Sequence, residues 1–160
     1  MSELFLIGDT HIAHEKIVEY REFTTVAMHD YFITKMINNT CGKNDTLLLV
    51  GDIAFKKPNF HNFMQNLDCK KQFILGNHDK WGIDLYRGYG KVLPYLIKHD
   101  IIITHIPIHP SELIHNGGRW KLNIHAHRHD KEPLGEGYFC VSAEVINYKP
   151  ITIAEILCQQ

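Results

Sequence analysis

The sequence lacks any long hydrophobic run. No apolar stretch approaches the ~18–20 residues that cross a bilayer. The N-terminal run LFLIG is short and follows the acidic Glu3, where a signal peptide would carry positive charge. We therefore expect neither a signal peptide nor a membrane partner, and predict a cytoplasmic protein.

Cysteine is also scarce, with four residues in 160. No two cysteines have C-x-x-C spacing, which disfavours a zinc site built from thiolates. Neither Cys69 nor Cys140 has a neighbouring histidine motif, so a cysteine nucleophile is disfavoured. We predict free, reduced thiols that pack as small apolar residues.

A strong charge of one sign is absent, since the net charge is −1 with histidine neutral. This balance argues against general affinity for nucleic acid or anionic membranes. The hydrophobic content of 44% and charged content of 22% are ordinary for a globular protein. The length predicts one domain over residues 1–160 with its own core, and it leaves no room for a dedicated nucleic-acid-binding module. The oligomeric state stays open.

Histidine is the abundant residue, with twelve copies, and three of them stand in the segment NIHAHRHD. His125, His127 and His129 recur at every second position. In an extended chain such residues share one face, so their side chains could reach neighbouring metal ions. A polar strand with surface histidines is the alternative interpretation.

Four short apolar runs end in a polar residue: LFLIGD, TLLLVGD, QFILGN and DIIITH. Runs of this length, buried on both faces, are typical of interior strands covered by helices. Each run delivers one polar side chain past the carboxyl end of its strand, where open α/β sheets bind ligands. These side chains are Asp9, Asp52, Asn77 and His105.

Helical spacing of apolar residues fills the intervals between these runs. One helix is predicted over Val26 to Asn39, with a stripe of Met28, Tyr31, Phe32, Lys35, Met36 and Asn39. A shorter one is predicted over Phe60 to Leu67, with Phe60, Phe63, Met64 and Leu67 facing the core. Thr152 and Glu155 fit a capping box for a final helical turn. The alternation of strands and helices predicts a layered α/β fold.

The polar residues at the predicted strand ends form a set of oxygen and nitrogen donors without a thiolate. Its members are Asp9, His11, Asp52, Asn77, His78, His105, His125 and His127. Such mixed sets suit Mn²⁺, Fe, Zn²⁺ or Ni²⁺ in catalytic use.

Five motifs in order, GDTHIAH, GDIAF, GNHD, ITHIP and HAHRH, make the chain similar to the calcineurin-like metallophosphoesterase family. The resemblance runs from residue 4 to about residue 150, and the ending CVSAEVINYKPI resembles small stand-alone bacterial and phage members. It implies a β-sandwich of two mixed sheets flanked by helices. It also implies a dinuclear metal-dependent phosphoesterase.

The resemblance further implies a residue for each role. One metal ion is assigned to Asp9, His11 and His127, a second to Asn77, His105 and His125, and Asp52 is shared. Both ions are divalent. Mn²⁺ is favoured, and Fe, Zn²⁺, Ni²⁺ or Mg²⁺ are possible. A hydroxide that bridges the ions attacks phosphorus, and His78 acts as general acid. Asp52 and His78 are the catalytic residues, and Asn77 and His78 contact the phosphoester substrate, for which a nucleotide derivative is one candidate.

The chain departs from the family pattern in ways that bear on substrate. Ile124 replaces the glycine of the G-H-x-H motif, so that it reads IHAH. Phe55 replaces the second acid of the protein-phosphatase motif, and Asp79 stands where those enzymes carry glutamate. A phosphodiesterase is therefore favoured. His129 falls outside the pattern and is predicted to be solvated or to lie outside the ligand set, and His14 is an outer contact rather than a ligand.

Several alternatives remain open. The chain could be a phosphomonoesterase or protein phosphatase, a non-catalytic scaffold on the same fold, or a nucleic-acid-processing enzyme. What orients His78 is open, with Asp79 as a candidate because it is adjacent. Basic residues near the motifs could meet phosphates or be ordinary surface charge: Lys56, Lys57, Lys80, Arg119 and Arg128.

Overall fold

The computed structural model describes residues 2–159. Across that range the chain forms nine strands, five α-helices and two short 3₁₀ segments. The strands are β1 (Leu4–Ile7), β2 (Thr46–Val50), β3 (Lys70–Ile74), β4 (Gly90–Leu93), β5 (Leu96–Lys98), β6 (Ile101–Ile103), β7 (Leu122–His125), β8 (Tyr138–Cys140) and β9 (Ile151–Thr152). The helices are α1 (Glu15–Tyr20), α2 (Val26–Thr40), α3 (Lys57–Asn66), α4 (Ile83–Arg87) and α5 (Ile153–Leu157), and the 3₁₀ segments are Pro110–Glu112 and Ile114–Asn116.

The first sheet has the strand order β4-β3-β2-β1-β9. Three of its four pairings are parallel, and the fourth joins β9 antiparallel to β1. The predicted runs LFLIGD, TLLLVGD and QFILGN are confirmed as β1, β2 and β3. Because parallel strands end at the same edge, the residues that follow them emerge together.

The second sheet has the order β5-β6-β7-β8. It is also mixed, since β5 is antiparallel to β6 while β6, β7 and β8 are parallel. The predicted run DIIITH contains β6. The expected α/β fold with two mixed sheets and helices is confirmed.

Alternate residues of the first sheet enter two different hydrophobic clusters, as the pleat of a strand requires. Leu6, Leu48 and Ile74 belong to a cluster that also contains Ile103 and Ile124 of the second sheet. Their neighbours along the strands pack with the helices instead, in a cluster that includes Ile7, Leu47, Leu49, Ile33, Ile37 and Phe60. Both faces of the first sheet are therefore buried, and packing on both sides holds its strands in place.

Helix α2 lies within one residue of its prediction, but the predicted apolar stripe is wrong. The helix buries His29, Ile33 and Ile37, whereas Met28 is 54% and Tyr31 68% exposed. Spacings of four residues place the three buried side chains on one face. Ile33 and Ile37 enter the hydrophobic cluster that the helices share with the first sheet.

The other helices follow their predictions more closely. Helix α3 begins at Lys57, ahead of the predicted Phe60, because Pro58 is compatible with the first turn. Phe60, Phe63 and Met64 are buried as predicted. The capping box at the start of α5 is confirmed, since Thr152 and Glu155 bond each other's backbone N–H groups.

Two further expectations concern the chain as a whole. All four cysteines are free, and two of them, Cys41 and Cys69, are buried. Among residues 2–159, no helix combines the length and apolar character that a membrane crossing requires.

Candidate metal centre

The carboxyl ends of both sheets deliver polar side chains to one place. Asp9 follows β1, Asp52 follows β2 and His105 follows β6. The backbone N–H of His127, beyond β7, donates to Asp9 Oδ2 at 2.7 Å. This bond joins residues that are 118 positions apart. The strand-end prediction is thereby confirmed for both sheets.

The first group of candidate ligands consists of Asp9, His11 and His129. Their ligand atoms all lie within 4.8 Å of one another. His11 Nε2 is 3.7 Å from Asp9 Oδ1, and both of these side chains are buried. The group has the size and composition of a cation site.

The second group consists of Asp52, His105 and His127, again with ligand atoms within 4.8 Å of one another. His105 Nε2 lies 3.5 Å from Asp52 Oδ2 and 3.1 Å from Asn77 Oδ1. Asn77 thus contributes an amide oxygen at the edge of this group.

Asp52 stands between the two groups. Its Oδ2 atom is 3.5 Å from His105 Nε2 and 4.0 Å from His11 Nε2. Its other oxygen, Oδ1, accepts the backbone N–H of His78 at 2.8 Å. One carboxylate oxygen therefore faces both groups while the other positions the loop after β3.

The backbone of this region adopts a conformation that non-glycine residues rarely occupy. Left-handed φ angles occur at five of the grouped residues: Asp9 (50°), His11 (48°), Asp52 (52°), His127 (68°) and His129 (54°). Such angles cost about 1–3 kcal/mol each and persist where the surroundings impose them, commonly at functional sites. Here they turn successive polar side chains toward a common centre.

Three buried polar atoms at the site have no hydrogen-bond partner among the described residues. They are Asp9 Oδ1 and both ring nitrogens of His11. Burying such atoms unpaired is costly, so native proteins rarely leave them so. A cation between Asp9 Oδ1 and His11 Nε2 would satisfy two of them. Two clusters of Asp and His residues could thus hold two metal ions.

His105 and His129 are each oriented by a hydrogen bond from Nδ1, the ring nitrogen that does not face the other candidate ligands. His105 Nδ1 donates to the carbonyl oxygen of Val50 at 2.9 Å, and His129 Nδ1 donates to Glu144 Oε1 at 2.6 Å. Anchoring one nitrogen fixes the ring and leaves Nε2 available to a metal ion. Neither anchor was predicted from the sequence.

Neighbouring charges raise the pKa of His129 and lower the pKa of Asp9. Burial opposes protonation of His129, but the hydrogen bond to Glu144 and the negative charges of Asp9 and Glu144 together outweigh burial and raise the pKa of His129. Burial likewise opposes the carboxylate form of Asp9, yet the adjacent imidazoles of His11 and His129 and the hydrogen bond from the Ser142 hydroxyl lower its pKa to about 2. Acid and base therefore stabilise each other's charged forms across the site.

Glu144 continues into a buried network that the sequence analysis missed. Arg21 bonds Glu144 and also donates to the carbonyl oxygen of Asp9 at 2.6 Å. Its other amino group lies 3.1 Å from His29 Nε2, and His29 Nδ1 is 3.0 Å from Asp30 Oδ1. The network ties α1, α2 and the loop after β8 to the first group. Its partners are up to 123 positions apart, so local sequence spacing carries no signal for them.

Asp79, the candidate for orienting His78, instead binds backbone N–H groups of the site loops. Its carboxylate accepts the backbone N–H groups of Asp52 and Gly76, both at 2.8 Å, and of Ile53 at 3.0 Å. It therefore holds the loop that carries Asp52 and is not available to orient the ring of His78. That ring is exposed and lies 5.1 Å from the ring of Phe55, between centroids.

The structure groups the alternate histidines differently from the ligand assignment that the sequence predicts, and that assignment stays a prediction. His127 was assigned with Asp9 and His11, but it lies with Asp52 and His105. His129, expected to lie outside the ligand set, completes the first group instead. His125, assigned to the second ion, belongs to neither group found among the described residues.

The physical reason is where strand β7 ends. His125 is the last residue of β7 and still pairs with Cys140 of β8, so its side chain stays on the strand face. The chain turns only beyond it, with positive φ at His127 and His129. Ala126, a small buried residue packed against Gly8, occupies the motif's glycine position in A-H-R-H. A small residue before two alternate histidines is the sequence signal that favours pairing His127 with His129 over pairing it with His125.

His14, expected as an outer contact rather than a ligand, lies in neither group. Its Nδ1 accepts the N–H of Ile17 at 3.3 Å, which caps α1. Burial and the nearby His11 and His78 lower the pKa of His14 to about 4. Its ring packs on Phe55 with centroids 3.9 Å apart, so it supports the aromatic side of the site.

Comparison with known proteins gives relatives and a shared fold. No family model matches the sequence. The crystal structure of a protein of unknown function, AQ665 from Aquifex aeolicus, superimposes with a TM-score of 0.79 at 22% identity and covers 100% of both chains, so the two share a fold. A nuclease, MPE from Pseudomonas putida, reaches a TM-score of only 0.49 at 16% identity and covers 86% of this chain and 78% of its own.

Two sequence relatives cover most of the chain. The Gene 66 protein of Mycobacterium phage L5 is 27% identical over 81% of this chain and 78% of its own length. Uncharacterized protein MJ1445 of Methanocaldococcus jannaschii is 31% identical over 96% of this chain and 88% of its own length. The chain therefore belongs to the same family as protein MJ1445.

Proposed function

We propose that this protein is a dinuclear metal-dependent hydrolase of phosphoester bonds and that it prefers phosphodiesters. The observation that carries the proposal is the pair of Asp/His groups with Asp52 between them, at 3.5 Å from His105 and 4.0 Å from His11. The ordered motifs shared with calcineurin-like metallophosphoesterases support the same reaction class.

The donor set suits ions used in catalysis. Asp9, His11 and His129 would hold one ion, and Asn77, His105 and His127 the other, with Asp52 shared. All the donors are oxygen or imidazole nitrogen, a set that Mn²⁺ accepts and that does not exclude Fe, Zn²⁺, Ni²⁺ or Mg²⁺. Among these residues only Asp9 and Asp52 are anionic. Two divalent ions against two carboxylates, +4 − 2, leave a positive surplus that favours a phosphoester anion.

Divalent ions bound in this way supply an activated water and a clamp for phosphoryl oxygens. The remaining tasks belong to the protein. The Asp52 carboxylate fixes the loop that carries His78 through the bond to its backbone N–H. The exposed imidazole of His78 then protonates the leaving oxygen, and the Asn77 amide lies beside it at the substrate edge.

The surroundings of His78 favour a diesterase over a protein phosphatase. Phe55 occupies the position of the second acid in the phosphatase motif and lies 5.1 Å from the His78 ring, between centroids. Asp79 is committed to three backbone N–H groups. An aromatic ring therefore stands where the phosphatase motif places a carboxylate, which distinguishes this site from that of a protein phosphatase.

The direct experiment combines metal content with activity. Metal in the purified protein is measured, and Mn²⁺-dependent hydrolysis of bis(p-nitrophenyl) phosphate is compared with that of p-nitrophenyl phosphate. We expect faster turnover of the diester. Hydrolysis of neither ester would contradict the proposal and favour a non-catalytic scaffold.

A His78→Ala variant tests the acid role separately. It should keep both ions yet slow hydrolysis by about 10²–10⁴-fold, most for poor leaving groups. His115→Ala, an exposed histidine away from the site, is the matched control. Loss of metal from the His78 variant would show that it is a ligand rather than the acid.

A further inference from the structure

A cavity of about 400 Å³ lies against the first group, next to strand β8. We call it the β8 pocket and define it by its lining residues His125, Arg128, His129, Leu134, Tyr138 and Phe139. Its volume is within the range of small-molecule sites, ~300–1,000 Å³. The proposed reaction assigns it no role.

The pocket and the first group share a side chain. His129 lines the pocket, and its ring also belongs to the group with Asp9 and His11. A molecule seated in the pocket therefore touches the residue that would hold the metal ion. This continuity makes the pocket a site for part of a substrate rather than for an unrelated ligand.

The walls of the pocket are mainly aromatic and aliphatic. Tyr138 uses its hydroxyl to donate to the carbonyl oxygen of Ile108 at 2.8 Å, so its ring face rather than its polar end is left for a ligand. Phe139 and Leu134 complete the apolar surface. Flat rings are held by such walls through stacking and burial of apolar area.

One buried polar group interrupts this apolar surface. His125 is 2% exposed, and its Nδ1 donates to the carbonyl oxygen of Ala126 at 2.9 Å. Its Nε2 has no hydrogen-bond partner among residues 2–159 and is the ring atom left to accept an N–H from a ligand. An acceptor without a partner in the wall of a pocket can bind a ligand that supplies a donor.

Asp130 and Glu132 balance Arg128 and Lys131 in the lining as a whole, but Arg128 is the charged lining residue beside the histidines of the two groups. It stands between His127 and His129, and its guanidinium donates to the carbonyl oxygen of Glu132 at 3.1 Å. A cation at this place favours a ligand whose apolar part enters the pocket while its anionic part stays near the metal groups.

We propose that the β8 pocket binds the organic group esterified to the phosphate, and that it selects a nucleobase-like heterocycle whose N–H donates to His125 Nε2. The inference rests on the proposed phosphodiesterase function and names its substrate class. The ring lies against Tyr138 and Phe139, and the phosphate lies toward Arg128 and His129.

The first test compares two diesters that share one leaving group. Thymidine 5′-(p-nitrophenyl phosphate) and methyl p-nitrophenyl phosphate both release nitrophenolate, so they differ only in the retained group. With Mn²⁺-loaded protein we expect a KM about tenfold lower for the thymidine ester, since an aromatic ring is buried. Equal KM values would overturn the proposal while leaving the proposed function intact.

A variant that fills the pocket sharpens this test. Leu134 is 39% exposed, so Leu134→Trp adds bulk to the pocket without entering the core. It should abolish the difference in KM between the two esters. Leu157→Trp, at a residue 47% exposed on α5, is the control and should preserve the difference. A difference that survives Leu134→Trp would place the heterocycle elsewhere and overturn the proposal.

Binding without turnover separates the pocket from the reaction. Thymidine is added to the metal-free protein, and the imidazole resonances of His125 are followed by NMR. We expect binding that Leu134→Trp removes and Leu157→Trp retains, and that is several-fold weaker for N3-methylthymidine, which lacks the N–H donor. Failure of thymidine to shift His125, or equal binding of the methylated nucleoside, would contradict the proposal. Failure of both esters to react would instead contradict the proposed function.

Discussion

The two Asp/His groups use the same residue types but are anchored differently. In the first group His129 is held by the Glu144 carboxylate, which is itself bonded to buried Arg21. In the second group His105 is held by a neutral backbone carbonyl, that of Val50. A carboxylate anchor makes an imidazole a more basic ligand than a carbonyl anchor does. We therefore expect the first group to bind its ion more tightly and to be loaded first.

Removing the residue between the groups should have the largest effect. Asp52→Asn lowers the charge of both candidate sites and disturbs the bond to the His78 backbone. We expect loss of metal from both groups and a fall in diester hydrolysis of at least about 10³-fold. Metal analysis and kinetics check this. Two ions retained with near-normal rates would remove Asp52 from its shared position.

Replacing single histidines should affect only one group. His129→Ala should lose the ion of the first group and keep that of the second. His125→Ala, two positions earlier, should keep both ions, because His125 lies in neither group among the described residues. Mn²⁺ binding is counted by electron paramagnetic resonance, and the melting temperature of each metal-free variant controls for folding. The reverse pattern would restore the original assignment of His125.

The difference in anchoring is tested by weakening one anchor. Glu144→Gln keeps the hydrogen-bonding shape but removes the charge next to His129. We expect Mn²⁺ affinity at the first group to fall about 10–100-fold, with the second group unchanged. Glu136→Gln, an exposed glutamate, is the control. Equal weakening of both groups would mean that the anchors do not set the order of loading.

The smallest effect concerns stability of the metal-free protein in acid. The pKa of buried Asp9 is lowered to about 2 from 3.8, so the folded state prefers its carboxylate form more than the unfolded state does. Its contribution, about 2 kcal/mol, is present above pH 4 and is lost as the pH falls toward 2. Urea unfolding at several pH values measures the free energy of unfolding, and Asp9→Asn should reduce its fall between pH 4 and pH 2. An unchanged fall in that variant would show that Asp9 is not the group responsible.

The strands and the strand-end residues could be predicted because they depend on local pattern. A run of apolar residues followed by glycine and a polar residue identifies β1, β2 and β3, and parallel pairing brings Asp9 and Asp52 together. The order of the motifs then led to the expectation of a metal-dependent phosphoesterase.

What could not be predicted depends on contacts between distant segments. The face of α2 that is buried was chosen by the sheet, and Arg21 meets Glu144 across 123 positions. The choice among three alternate histidines depends on where β7 stops pairing with β8, at His125 opposite Cys140. Sequence spacing alone fits either pair of histidines equally well.

The most direct test of the account is a crystal structure of the Mn²⁺-loaded protein with anomalous scattering from manganese. We predict two manganese peaks at this centre. One is bounded by Asp9, His11 and His129, the other by Asn77, His105 and His127, and Asp52 contacts both. A single peak, or a peak coordinated by His125 with His129 turned to solvent, would contradict it.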